Sequence, residues 1–142
     1  MILVKPGVPG PRLIPHEKGQ PCDEKPVPST FPDQCYTYAA RPEKDNAWIN
    51  GSRATTMDLL GNFLASLAGN SGEISRHVVD KTGLTGLWDF TLLPPVKVPG
   101  EDTQLGSPAL EAVREQLGIR LKPDRAVVAL PVIDHVQKPE DN

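Results

Sequence analysis

Leu87-Trp88-Asp89-Phe90-Thr91-Leu92 alternates in hydropathy. With the two-residue period of a strand it sets Leu87, Asp89 and Thr91 opposite Trp88, Phe90 and Leu92. Just ahead of it, Lys81-Thr82-Gly83-Leu84-Thr85-Gly86 has the two glycines of a tight connection, and Pro94-Pro95 closes the strand. Upstream, His77-Val78-Val79 reads as a further strand. Met57, Leu60, Phe63, Leu64 and Leu67 recur at helical spacing, with Thr55 or Thr56 as the cap and Gly69-Asn70-Ser71-Gly72 as the stop. Ala47-Trp48-Ile49-Asn50 before Gly51 reads as a short strand and turn. Downstream, 96–106 is a polar loop, and Ser107-Pro108 supplies an N-cap followed by proline at the first helical position. Leu110, Val113 and Leu117 make that helix's apolar stripe, and Gly118 suits its C-terminal cap. Ile119-Arg120-Leu121 begins a strand, and Ala126 to Val136 is the most β-rich run, with Pro131 marking an edge or a bulge. From residue 47 the order is β-α-β-β-α-β-β. That is an α+β fold, with two helices on one face of a small, mainly antiparallel sheet.

The chain has 142 residues, of which 38% are hydrophobic and 5% aromatic. Surface scaling allows about two-thirds of the unfolded surface to be buried, enough for one modest core. The net charge is 15 basic minus 18 acidic residues, or -3. This balance argues against nucleic acid as a partner and against a polybasic membrane anchor. No apolar run approaches the roughly 20 residues needed to span a bilayer.

Nine of the 16 prolines fall in the first 50 residues (6, 9, 11, 15, 21, 26, 28, 32, 42). Proline removes a backbone donor and fixes φ, so residues 1–46 read as a proline-rich extended segment ahead of an α+β domain at 47–142. Ile2-Leu3-Val4 is an exception that reads as a short strand before Pro6-Gly7. Residues 15–46 lack any apolar period, and a loop of that length in a compact domain is either disordered or stapled. Cys22 and Cys35, the only cysteines, lie inside it. A bridge between them would close a loop of roughly 14 residues, worth about 3 kcal/mol in the chain-entropy model. The alternatives are two unpaired, inert thiols, or chemistry. No C-x-x-C motif and no histidine at ligand spacing supports the last, and Asp23-Glu24 after Cys22 disfavours a reactive thiolate. A disulfide places the chain outside the cytoplasm. The opening MILVKPGVPG has too short an apolar stretch for a signal peptide, so an exported protein would carry its signal elsewhere.

Three stretches carry a resemblance to a known family. They are Val78 to Leu92 (VVDKTGLTGLWDFTL), Ala109 to Leu121 (ALEAVREQLGIRL) and Val132 to Pro139 (VIDHVQKP). In this order and spacing they resemble the soil-bacterial, largely acidobacterial, conserved hypothetical proteins that share a domain of unknown function. Trp88 stands where members typically carry tyrosine. Ile2-Leu3-Val4-Lys5-Pro6-Gly7 resembles a strand further upstream in the same family. The resemblance implies export, and a sensory or binding role, since some members are fused to membrane sensor peptidases of the antibiotic-response type. It also implies that 47–142 is the C-terminal part of a longer domain, or that the chain is a shortened member of the family. No catalytic residues come with it. More distantly, the two-helix pattern resembles the short N-terminal domains of secretins and TonB-dependent receptors, a likeness of fold alone.

The main functional expectation is therefore a non-catalytic, extracytoplasmic binding module, periplasmic or secreted, whose partner is a protein or a cell-envelope component. Its candidate edge strand is 126–136, with Val132 and, if exposed, Trp88 as binding residues. The alternative is a small hydrolase-like or metal-dependent enzyme with a site at His77, Asp80, Asp89 and His135. His77 would pair with Asp80, or His135 with Asp89. Against this, Asp80-Lys81-Thr82-Gly83 has the form of a turn in which Asp80 accepts backbone hydrogen bonds, and adjacent Asp134 and His135 face opposite ways on a strand. His16, in the proline-rich segment, is expected in solvent. No G-x-S-x-G, H-E-x-x-H, P-loop or G-x-G-x-x-G occurs, so the sequence implies no cofactor and no metal.

Overall fold

The computed structural model describes residues 1–18, 21–22, 31–44, 47–70, 77–94 and 108–125. Its elements are β1 (Ile2–Leu3), β2 (Leu13–Pro15), β3 (Tyr38–Pro42), β4 (Trp48–Thr55), α1 (Met57–Asn70), β5 (Trp88–Leu92), α2 (Pro108–Leu117) and β6 (Ile119–Arg120), with a 3₁₀ turn at His16–Lys18. The described residues form an α+β fold with two helices and small antiparallel sheets. Four strands pair antiparallel in the order β2-β5-β4-β3, and β1 pairs with β6. Each strand before residue 47 pairs with one after it: β1 with β6, β2 with β5 and β3 with β4. Proline keeps these early strands short and at the margins. Pro15 ends β2 and Pro42 ends β3, both edge strands, where a missing N–H breaks no interior ladder.

Trp88, Phe90 and Leu92 turn one face of β5 toward the helices, as the alternation predicts. Met57, Leu60, Phe63 and Leu64 of α1, and Ala112, Val113 and Leu117 of α2, pack on it, joined by Leu3, Leu13 and Ile119. Thr56 caps α1 by accepting the Leu59 N–H on Oγ1 at 3.2 Å. Pro108 opens α2 and Gly118, at φ +68°, follows its end. The last carbonyls of α2 are satisfied by the N-terminal arm. Arg12, Gly10 and Val4 donate to the carbonyls of Gln116, Leu117 and Gly118 at 2.9, 2.8 and 2.8 Å. That docking needs glycine on both sides, because a Cβ on Gly10 would lie 2.3 Å from the Gly118 nitrogen.

His77-Val78-Val79 is not a strand. Among the described residues its backbone bonds run to Met1, with Met1 N donating to the Val79 carbonyl and Lys81 N donating to Met1 O at 2.9 Å. A single-residue partner builds no ladder, and Val78 instead packs half-buried against the core. The strand expected at 47–50 does not turn at Gly51 but runs on through it to Thr55, with Gly51 paired to Ala39. Arg53 and Ala54 belong to it and bulge, for reasons that lie in the site. The 126–136 run lies outside the described residues.

Candidate functional site

The face of β5 opposite the helices carries Asp89. Across β2, Ile14 pairs with Asp89, and the ladder runs on through Pro15–Trp88 to a bond from His16 N to the Leu87 carbonyl at 2.9 Å. His16 is therefore two residues beyond the partner of Asp89 on the same face, the diagonal position from which long side chains meet. His16 Nδ1 and Asp89 Oδ1 are 2.7 Å apart, with the two side chains 16% and 12% exposed. His16 is thus paired and largely buried, not in solvent. The histidine partner of Asp89 among the described residues is His16. His135, the expected one, lies outside them.

On its other side Asp89 faces a β-bulge. Ser52 pairs with Phe90 and Thr55 with Trp88, so Arg53 and Ala54 together oppose Asp89. Ala54 takes φ +48°, and its N–H, released from the ladder, donates to Asp89 Oδ1 at 2.8 Å. A buried carboxylate without donors would be costly, and this one receives both an imidazole and a backbone N–H. The bulge also turns the Arg53 backbone outward. Tyr36 N donates to the Arg53 carbonyl at 2.9 Å and Arg53 N to the Gln34 carbonyl at 3.3 Å, which draws the Cys35 segment onto the sheet.

Cys22 and Cys35 are joined in a disulfide. Cys22 Sγ lies 3.4 Å from His16 Nε2, so cystine, imidazole and carboxylate stand in line. The Arg53 guanidinium donates to the carbonyl of Pro21, next to Cys22, at 2.9 Å. The acidic neighbours Asp23 and Glu24 argued for an anionic setting at Cys22. The fold instead brings a histidine to it from 6 positions away in the chain, and an arginine to the neighbouring Pro21 carbonyl from 32 positions away. Sequence reading had no signal for this, since nothing local links His16 to Asp89.

The other expected site residues are placed differently. Asp80 accepts the Thr82 N–H at 2.9 Å, the turn its context predicts, and His77 is exposed. No contact among the described residues links either to Asp89. Among those residues no three His, Cys, Asp or Glu side chains are grouped to hold a metal ion. Trp88 is core, 8% exposed, with its indole N–H donating to the Thr85 carbonyl at 3.0 Å, so it offers no surface anchor. Val132 lies outside the described residues.

A second feature is the β3 edge. Glu43 N bonds the Ala47 carbonyl, which fixes 43–47, 41–49 and 39–51 as the bonded pairs. Tyr38 and Ala40 therefore turn their N–H and C=O groups away from β4. Tyr38 and Trp48, on the helix-side face, are 50% and 52% exposed, and the Tyr38 ring lies 5.6 Å from that of Phe63. On the opposite face the Arg41 guanidinium stacks over Phe31 at 5.1 Å.

A family described as "Protein of unknown function (DUF3738)" matches residues 2–136. The chain belongs to that family. The DUF3738 match takes in every strand and helix described above, together with His16, Cys22, Cys35 and Asp89. No curated protein and no solved structure matches the chain.

Proposed function

We propose that this DUF3738 chain is a non-catalytic, extracytoplasmic interaction module that takes an extended segment of a protein partner along β3. The observation that carries the reading is the open β3 edge. Tyr38 and Ala40 present unpaired backbone groups among the described residues, flanked by exposed Tyr38 and Trp48. Strand addition draws affinity from main-chain hydrogen bonds and specificity from alternate side chains, and this edge supplies both. The disulfide supports an oxidising compartment, and no helix among the described residues is long and apolar enough to cross a membrane. The likeness to exported soil-bacterial proteins, and the more distant one to secretin and TonB-receptor domains, favours a partner in the cell envelope. The His/Asp enzyme reading is the weaker one, because Asp80 and Asp89 each spend a carboxylate oxygen on backbone N–H groups.

The test is selection of a displayed random-peptide library on the full chain, followed by amide NMR mapping of the winners. Shifts centred on Tyr38 and Ala40 are expected, with binding lost in Ala40→Pro while the spectrum otherwise stays folded. Winners that map elsewhere, or that bind Ala40→Pro equally well, would sink the reading.

A further inference from the structure

The cystine is built asymmetrically. Cys22 Sγ faces His16 Nε2 at 3.4 Å, while the opposite ring nitrogen, Nδ1, is held by Asp89 at 2.7 Å. Asp89 is itself anchored by the bulge N–H of Ala54. Cys35 has a different setting, bridged through its backbone to Arg53. Both cysteines are half-buried, so neither sulfur is sealed in the core. An ordinary structural bridge needs none of this arrangement. The line of sulfur, imidazole and carboxylate is the one that activates a cysteine nucleophile or receives a leaving thiolate.

We propose that Cys22–Cys35 is a thiol–disulfide exchange site in which Cys22 is the leaving sulfur and His16, positioned by Asp89, receives it; its substrate class is a dithiol. The thiolate of the dithiol attacks Cys35 Sγ, forming a bond there and breaking the Cys22–Cys35 bond. The electron pair departs on Cys22 Sγ, directly against His16 Nε2, which hands it a proton taken up from water. The second thiol of the substrate then attacks its own sulfur in the mixed disulfide, closing a cyclic disulfide and releasing Cys35 as a thiolate that is protonated by solvent. Two electrons and two protons pass from the dithiol to the two cysteines. A stabilised leaving group speeds exchange and chooses which sulfur is attacked. The reduced protein then holds Cys22, His16 and Asp89 as a thiol–imidazole–carboxylate row. This site is separate from the β3 edge and does not depend on it.

The first measurement uses the wild-type chain. It is exposed to excess 2-mercaptoethanol, quenched with iodoacetamide and mapped by peptide mass spectrometry. The mixed disulfide is expected on Cys35 and the alkyl group on Cys22, with about a tenfold bias. An even distribution, or a mixed disulfide mainly on Cys22, overturns the proposal without any variant. The second measurement is the rate of reduction by dithiothreitol as a function of pH. His16→Gln is expected to slow it about tenfold near neutral pH and to flatten the pH profile, because the leaving thiolate loses its proton donor. Asp89→Asn is expected to shift the profile through His16. Unchanged rates and profiles in a folded His16→Gln protein would show that the bridge is structural only. If that variant does not fold, the wild-type mapping decides alone.

Discussion

His16 and Asp89 are 73 residues apart in the chain, yet their Nδ1 and Oδ1 atoms meet at 2.7 Å. The contact closes the β2–β5 ladder at one end and supports the β4 bulge at the other. One carboxylate oxygen thus serves two elements that do not touch each other through main-chain pairing.

Replacing Asp89 should therefore cost more than one hydrogen bond. Asp89→Ala leaves the Ala54 N–H and the imidazole without an acceptor in a buried place, which predicts a loss of about 2–4 kcal/mol in denaturant unfolding. His16→Ala should cost about 1–2 kcal/mol. The double variant should be more stable than the sum of the two losses implies, with a coupling of about 1 kcal/mol. Strict additivity in the cycle would mean that the pair contributes nothing of its own.

The arm from Val4 to Arg12 docks only because two glycines face each other. A methyl on Gly10 would sit 2.3 Å from the Gly118 nitrogen and 2.4 Å from the Leu117 carbonyl carbon, both backbone atoms that cannot swing aside. Gly10→Ala is expected to cost about 3 kcal/mol or more and to release the bonds onto the end of α2. Hydrogen exchange at the amides of Val4, Gly10 and Arg12 reads that release directly, and unchanged protection would contradict the geometry.

Removing the bridge by the double substitution Cys22→Ser and Cys35→Ser should lower stability by about 3 kcal/mol, the value for a loop of this size. The two cysteines are 13 residues apart. Thermal unfolding of this double variant should match that of the fully reduced wild type, and a clear gap between them would assign part of the effect to the thiols themselves.

Lys81 Nζ lies 2.8 Å from Asp124 Oδ2, and both side chains are about half exposed. The hydrogen bond from Lys81 and the bond from the Arg125 N–H hold the Asp124 carboxyl below its ordinary value of 3.8. A lowered folded value means that the contribution is fully present above the ordinary value and is lost as pH falls through the folded one. The difference in unfolding midpoint between wild type and Asp124→Asn should be small and flat from neutral pH down to about 5, then shrink in more acid solution. A difference that grows on acidification would reverse the sign of the argument.

Gln116 shows how a residue with a bland sequence context acquires a structural task. Its side-chain amide accepts from Leu93 N at 2.9 Å and donates to Leu93 O at 3.1 Å, closing the end of β5 against α2. Gln116→Ala leaves both Leu93 groups open and is expected to cost about 1–2 kcal/mol, while Gln116→Glu, which keeps only the acceptor, should fall between. Equal losses in the two variants would show that the acceptor half does nothing.

Residues 57–67 and 108–118 could be read from the chain because local rules govern them. The apolar stripe of α1, the Thr56 cap, Pro108 at the start of α2 and Gly118 at its end each depend on neighbours within about one turn. The alternation of β5 told which of its residues face the helices, and the Asp80 turn was equally local. The spacing of two cysteines in a stretch without apolar period suggested the bridge. Strand partners were another matter. β1, β2 and β3 are two, three and five residues long, rich in proline or of mixed polarity, and carry almost no periodic signal. Their pairing is decided by which edge remains open once the core has formed. The His77–Val79 segment shows the converse. Its β-branched pair suits a strand, but among the described residues its backbone partner is Met1.

By itself, then, the amino-acid order determined the two helices, the faces of β5 and the α+β class, because each follows from composition or short-range period, and it left the pairing of Cys22 with Cys35 as one of three alternatives. Only the tertiary structure decided that His16 meets Asp89 and Cys22 and that the Arg53 guanidinium reaches the Pro21 carbonyl. The reason is physical: a bulge and a diagonal cross-strand contact depend on register, and register is set by the joint burial of strands far apart in the chain.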